Sequence, residues 1–173
     1  MAISLYDASV PTYLQTLGAV SHFLSRGLAH FREHGIAPEE IVETRLFPDM
    51  LPFRFQVQSV VHHSVHGLEA LKDGVFQPVR GKPSEDYAAL QACVQEAIDT
   101  LGKLTPEEIN ACEGADVVFE VGGHKLPFTA ENFLLSFSLP NFHFHATTAY
   151  DILRSKGVPL GKRDYMGRVR LKR

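Results

Sequence analysis

Histidine is the residue type with the most chemical potential in this 173-residue sequence, which contains nine of them. Two pairs have the spacing H-x-x-x-H, which places both imidazoles of a pair on one helix face: His30 with His34, and His62 with His66. Two imidazoles arranged in this way can contribute to a divalent-metal site. Neither pair includes the H-E-x-x-H glutamate that serves as the general base of a zincin, so the spacing indicates no particular reaction.

The two histidine pairs occupy different positions in their predicted helices, and different roles are predicted for them. His30 and His34 lie in the last turn of the first long helix, where the negative end of the helix dipole favours an imidazolium, so a surface capping role is predicted for them. On a wheel with Val57 at zero, His62 falls at about 140° and His66 at about 180°, away from the apolar stripe. His63, at about 240°, is also predicted not to point inward. For this cluster, solvated histidines and metal ligands both remain open.

A third group of histidines lies in the segment "NFHFHATTAYDILRSKG". His145 borders the apolar stripe of this helix and is predicted to sit in a groove beside Phe142 and Ile152. His143 is predicted to pack in an aromatic ladder, with a hydrogen bond to a neighbour. Pro140 removes a backbone donor, so the carbonyl that it frees is the expected polar partner of His145.

Several function classes are disfavoured by composition and motifs. The net charge of −3 argues against nucleic-acid binding, and no apolar run approaches the roughly 20 residues of a membrane span. The first ten residues lack the features of a secretory signal, which predicts a cytoplasmic protein. Cys93 and Cys112 form no CxxC motif and are predicted to be reduced, small apolar side chains. Walker, G-x-S-x-G and G-x-G-x-x-G motifs are absent.

The C-terminal segment 161–173 differs in charge from the rest of the chain. It carries six basic residues and one acidic residue, a net +5 against −3 for the whole chain, so the remainder carries −8. A basic arm of this kind can contact an acidic partner, but a solvated tail is the interpretation that we favour.

Apolar periodicity predicts four long helices in a single domain, 1–173. Helix one covers 10–31 and stops at Gly35, and helix two covers 53–71 and stops at Gly74. Helix three follows Ser84 as its cap, and short helical turns are predicted at "APEEI" and "TPEEI". Helix four runs from Thr129 to Lys156, where Gly157 caps it, with a kink or interruption at Pro140. A β-hairpin around Gly122-Gly123 precedes helix four, which makes the fold an all-α four-helix bundle with a small β-hairpin insert.

Three segments resemble a bacterial domain-of-unknown-function family of the DinB/YfiT-like superfamily: "LYDASVPTYLQTL", "LFPDMLPFRFQVQ" and "FLLSFSLPNFHFHATTAYDILRSKGVPLGKRDYMG". The resemblance spans nearly the whole chain, and the block from Leu139 to Asp164 is its most specific part. It implies a bundle with up-down-down-up helix order, often assembled as a homodimer. No established activity accompanies this branch of the superfamily.

Better-known DinB-like relatives bind a divalent metal through one histidine of helix two and an H-x-x-x-H pair of helix four, and some are thiol-dependent transferases or hydrolases. In this sequence His145 matches the first helix-four ligand, but Ala149 occupies the second position. The helix-two ligand is His62, His63 or His66, and His62, His66 and His145 form an alternative set for nickel, zinc or iron.

Two hypotheses follow from the residues and the resemblance together. The first is a helical protein without demonstrated catalysis, which forms a homodimer and binds a small ligand in a groove. The exposed aromatic residues predicted for its polar faces, Phe55, Phe144 and Tyr150, support the homodimer. The second is a divalent-metal enzyme that uses the histidine site. No residue identifies a substrate.

Overall fold

The computed structural model describes residues 3–79, 81, 84 and 86–172, most of which are helical. Within these residues the helices are α1 (Leu5–His34), α2 (Pro38–Val42), α3 (Phe53–Val61, His62–His66 and Gly67–Asp73), α4 (Tyr87–Leu101), α5 (Pro106–Asn110), α6 (Ala130–Asn132, Phe133–Ser138 and Leu139–Ser155) and α7 (Lys162–Met166). The middle segments of α3 and α6 are π-helical. The four long helices predicted from periodicity correspond to α1, α3, α4 and α6.

Glycines end three of the long helices where the sequence predicts. Gly35, Gly74 and Gly157 have φ angles of 66°, 74° and 88°, in the left-handed region that glycine adopts without steric cost. The cap of α4 differs from the prediction. Asp86, rather than Ser84, accepts the hydrogen bond from the Ala88 N–H, and the Ser84 hydroxyl instead accepts one from the Asp86 N–H. The sequence also predicts Glu85 in the first turn of this helix, a residue that lies outside the described residues.

A small sheet lies beside the helices. The predicted hairpin is confirmed as β2 (Asp116–Val121) and β3 (His124–Thr129), which pair antiparallel across a Gly122-Gly123 turn with φ angles of 55° and 81°. Both angles are positive, as a tight two-residue hairpin turn requires. β1 (Val75–Phe76), which directly follows α3, adds in parallel to β2. This short strand was not predicted, because two residues are too few for an alternating pattern.

The core lies between the long helices. α1 packs against α4 and α3 packs against α6, and large aromatic side chains fill the space between them. Tyr13, Phe23, Phe53, Tyr87, Phe133 and Phe142 are among the fully buried side chains. In the described part of the chain, no helix has the length and apolarity needed to cross a membrane.

The two π-helical segments meet at Ser138. Its hydroxyl donates to the carbonyl oxygen of His63 at 2.6 Å and lies 2.9 Å from the Tyr13 hydroxyl. The Ser138 side chain also lies close to the backbone of Gly67. A Cβ atom on residue 67 would be 2.7 Å from the Ser138 Oγ, a clash that glycine avoids because it has no Cβ. A π-turn disrupts the regular backbone ladder, so a side-chain donor is needed to satisfy a buried carbonyl within it. Ser138 thus connects both irregular turns to α1.

The interruption predicted near Pro140 is found as a change of helix type rather than as a break in the helix. The helix continues through Pro140 to Ser155 instead of breaking before Asn141, and its irregular turn is the π-helical segment Phe133–Ser138 immediately before the proline. Irregular hydrogen bonding ahead of Pro140 accommodates the missing donor without ending the helix.

The basic C-terminal segment is only partly solvated, contrary to the prediction. Its first part forms α7, which packs on α1. Asp164 accepts hydrogen bonds from Arg26 at 2.8 Å and from the Gly161 N–H at 2.7 Å, and the Gln15 amide donates to the Met166 carbonyl. Segment 167–172 is exposed. The one acidic residue of the tail therefore attaches it to the bundle.

Candidate functional site

Four histidine side chains form a continuous row. Ring centroids are separated by 5.1 Å between His66 and His62, by 5.6 Å between His62 and His63, and by 5.7 Å between His63 and His145. The last two rings are nearly parallel, with an interplanar angle of 16°. Of the predicted metal set, the structure thus brings His62 and His66 into contact, while His145 stacks on His63 at the other end of the row.

His63 was wrongly predicted to point away from the core. It is 8% exposed and lies between the rings of Phe76 and Phe137. The prediction failed because the wheel was centred on apolar residues alone. The buried face of α3 also includes polar residues: Gln56, Ser59, His63 and Ser64. His62 and His66 do lie on the outer side, as predicted, where His66 is exposed and His62 is half-buried.

Burial keeps the inner imidazoles neutral. Desolvation, with further repulsion from His145 and His62, lowers the pKa of His63 to about 3. Desolvation, followed by repulsion from His66, lowers the pKa of His62 to about 4. Desolvation, followed by repulsion from His62, lowers the pKa of His145 to about 4. At neutral pH these rings therefore act as hydrogen-bonding groups or neutral donors, and not as cations.

Each residue of the predicted metal set has one ring nitrogen engaged. The contacts are 2.9 Å from His62 Nε2 to the Gln77 carbonyl, 2.7 Å from His66 Nδ1 to Glu69 and 2.7 Å from His145 Nδ1 to Gln56 Oε1. Such bonds orient ligating histidines and leave the second nitrogen for the metal. Among the described residues, however, no three His, Cys, Asp or Glu side chains converge to hold an ion. These hydrogen bonds orient the three rings as ligation would require, but the side chains do not converge on one point.

The predictions for His143 and His34 agree with the structure. His30, predicted at the surface, is instead half-buried against Phe31 and His34. His143 contacts the ring of Phe142, and its Nδ1 lies 3.3 Å from the Tyr165 hydroxyl, so it packs and hydrogen-bonds as predicted. His34 is exposed at the end of α1, where its Nδ1 lies 2.8 Å from the His30 carbonyl oxygen. This contact is the predicted capping interaction at the C-terminal end of the helix.

A cleft of about 620 Å³ opens beside the outer end of the histidine row. One wall is the outer face of α3, a second is the segment from Val75 to Val79, and Cys93 of α4 completes it. The lining consists of Gln58, Val61, His62, His66, Glu69, Ala70, Asp73, Val75, Phe76, Gln77, Pro78, Val79 and Cys93. The volume suits a small organic molecule. Sequence reasoning missed this cleft because the second wall is an irregular segment with no periodic signal.

The two cysteines are free thiols, and they occupy different environments. Cys112 is buried, as predicted. Cys93 is half-buried at the cleft, where its thiol lies 3.1 Å from the Leu90 carbonyl. Burial, with repulsion from Glu96, raises the pKa of Cys93 to about 11, so the thiolate that a nucleophile needs is scarce at neutral pH.

His145 is predicted to contribute to stability through Gln56. His145 is half-buried rather than solvated, as expected, but its ring contacts are Phe55, His63 and Phe144. Its polar partner is the Gln56 side chain and not a carbonyl freed by Pro140. Gln56 is 2% exposed, so His145→Ala would leave its buried oxygen without a donor. We expect the free energy of unfolding to fall by about 1–3 kcal/mol, measured by chemical denaturation.

The control for this substitution is His124→Ala, because His124 is exposed in β3. An equal stability for His145→Ala and the parent protein would contradict the Gln56 contact. Denaturation in the presence of nickel or zinc adds a second comparison. Stabilisation of the parent but not of the variant would assign His145 as a ligand, because an ion bound only to the native state adds to its stability.

The fold has a counterpart among solved structures. The crystal structure of a DinB family member protein from Shewanella denitrificans superposes with a TM-score of 0.81 and 24% sequence identity, covering 98% of this chain and 95% of that one. No curated protein matches the sequence. A family model described as a domain of unknown function (DUF1993) matches residues 5–166. The resemblance found in the sequence is thereby confirmed: the chain has a DinB-like fold and belongs to the DUF1993 family.

Proposed function

We propose that this protein binds a small, largely apolar molecule in the cleft between α3 and the segment 75–79, and that it binds this molecule without transforming it. The cleft itself carries the proposal. It combines a volume of about 620 Å³ with an apolar lining and a few hydrogen-bonding groups, the usual composition of a ligand site. Gln58 supports it further, because its buried Oε1 has no hydrogen-bond partner in the described structure.

The pKa values of His62 and Cys93, which line the cleft, support binding rather than catalysis. A general base works best with a pKa near the working pH, whereas the pKa of His62 is lowered to about 4. The Cys93 thiol is a candidate nucleophile in the same cleft, but its pKa is raised to about 11. Neither group is prepared for chemistry at neutral pH.

A divalent-metal enzyme using His62, His66 and His145 is the second candidate. The 5.1 Å separation of the His62 and His66 rings favours it, since a modest rotation of either ring would direct two nitrogens to one point. Elemental analysis of protein purified without a histidine tag separates the candidates. Near-stoichiometric nickel, zinc or iron would contradict the binding proposal and favour a metal enzyme, either a thiol-dependent transferase or a hydrolase. Metal-free protein would contradict the metal-enzyme alternative.

The cleft proposal is tested by filling the cleft. Val61 is half-buried in its lining, so Val61→Phe should occupy space that a ligand needs. The matched control is Val169→Phe, which makes the same substitution at an exposed residue outside the cleft. In NMR titrations with 1-hexanol, we expect shifts of the Gln58 and Gln77 amides in the parent and the control, and none in Val61→Phe. Absence of these shifts from the parent would refute the proposal for small apolar ligands.

A homodimer with the up-down-down-up helix order of DinB-like bundles completes the proposal. Of the three aromatic residues predicted to be exposed, only Phe144 is, at 56%. Phe55 packs on His145, and Tyr150 packs on Phe23. Leu135, also 56% exposed, adds a second apolar side chain on α6. Apolar side chains exposed on one helix favour a self-association surface.

Light scattering at micromolar concentration is expected to show the mass of a dimer, because burying Phe144 and Leu135 removes apolar area from water. Substituting both residues with serine should shift the protein to the monomer without lowering its unfolding free energy by more than about 0.5 kcal/mol. Monomeric parent protein would end the dimer prediction and would leave the cleft proposal intact.

A further inference from the structure

The outer face of α3 presents a row of polar side chains to the cleft. His62, His66, Glu69 and Asp73 are spaced by four, three and four residues, which aligns them along one side of the helix. Gln58 lies one turn before them. The carboxylates therefore occupy one end of the row, and the half-buried imidazole and the amide occupy the other.

The cleft has an acidic character. Among the described residues that line it, Glu69 and Asp73 are carboxylates, and none is lysine or arginine. Glu69 accepts a hydrogen bond from His66 at 2.7 Å, and this contact still leaves acceptor sites on the carboxylate. Asp73 is exposed and makes no ion pair with another described residue. The charge at this end of the cleft is thus only partly compensated within the described chain.

The other half of the cleft is apolar. Val61, Ala70 and Phe76 lie along its lining together with Val75, Pro78 and Val79. Gln58 offers one hydrogen bond from its buried amide, but an amide can present either its oxygen or its nitrogen by a half-turn, so this group does not select charge. Selection between charged ligands therefore rests on the two carboxylates.

We propose that the ligand of this cleft is an organic cation, a primary or secondary ammonium group on an apolar body. The apolar part would lie along Val61, Ala70 and Phe76, with the ammonium group between Glu69 and Asp73. An anionic ligand of the same shape would face these carboxylates with no described cation to neutralise it, at a cost in affinity. This inference rests on the proposed function, since it names the class of ligand for the same cleft.

Three isosteric probes test the inference: hexylammonium, 1-hexanol and hexanoate, each titrated at neutral pH and low ionic strength with NMR detection. We expect hexylammonium to bind most tightly and hexanoate least. Glu69→Gln combined with Asp73→Asn should weaken hexylammonium binding about three- to tenfold and leave 1-hexanol within about twofold, because exposed ion pairs each contribute modestly. The control, Asp49→Asn with Glu113→Gln, removes the same charge from exposed residues outside the cleft.

The outcomes separate the two proposals. Equal binding of the three probes, or a preference for hexanoate, would overturn the cation inference while the cleft remained a binding site. An equal loss of hexylammonium affinity in the control variant would also overturn it, because only the net charge of the protein would then matter. If none of the probes shifts the Gln58 and Gln77 amides, both the inference and the proposed function fail.

Discussion

Replacing Ser138 with alanine is expected to lower the free energy of unfolding by about 2–4 kcal/mol. The hydroxyl is fully buried and joins the His63 carbonyl to the Tyr13 hydroxyl. Alanine would leave both partners buried without their bond. Burial also raises the pKa of Tyr13, so ionisation cannot relieve the loss. Urea denaturation monitored by circular dichroism measures the change.

Ser136→Ala is the matched control for this prediction. Ser136 lies in the same π-helical segment, but it is exposed and bonds only to the carbonyl of Asn132. Its loss should change stability by less than about 0.5 kcal/mol. Similar results for Ser136→Ala and Ser138→Ala would show that the contact between the two π-turns contributes no more than a surface hydroxyl.

Acidification is expected to destabilise the protein well before its carboxylates titrate. The pKa values of His62, His63 and His145 in the folded protein are about 4, 3 and 4, below the ordinary value of 6.5. The unfolded chain therefore binds protons that the folded chain excludes. The contribution of these histidines to the free energy of unfolding is fully present above about pH 6.5. It decreases as the pH falls from 6.5 toward 4, because unfolding takes up protons throughout this range.

Near pH 5.5 the free energy of unfolding is expected to change by about 1.4 kcal/mol per pH unit for each proton taken up on unfolding. About three protons are taken up, one for each of the three histidines. Denaturation curves at half-unit intervals between pH 7.5 and 5 measure it. His63→Phe, which places an apolar ring beside Phe76 and Phe137, should reduce the uptake by about one proton. His124→Phe, at an exposed position, should leave it unchanged. A stability independent of pH over this range would contradict the desolvation of His62, His63 and His145.

Much of the helical framework could be predicted from the sequence, because helix formation depends on local patterns. The stripe from Val10 to Phe31, the stops at Gly35 and Gly74 and the Gly122-Gly123 turn all act over a few residues, and each is found where it was predicted. The family was also recognisable, since the block from Leu139 to Asp164 is long and specific. The helical wheel likewise placed His145 at the border of the apolar stripe of its helix, and the structure shows this side chain half-buried.

The tertiary structure alone decided how these helices arrange their polar residues. His63 is buried because neighbouring elements cover the side of α3 that carries glutamine and serine. The hydroxyl that bonds to the His63 carbonyl belongs to Ser138, which is 75 residues away in the sequence. The cleft exists because the segment after α3 folds back beside the outer face of that helix. The tail lies on α1 through the Arg26–Asp164 and Gln15–Met166 contacts. A hydrophobic pattern within one segment records which face is apolar, but it contains no information about which distant segment covers a polar face. That is set by packing between elements, and it determines the protonation of the histidines and the shape of the site.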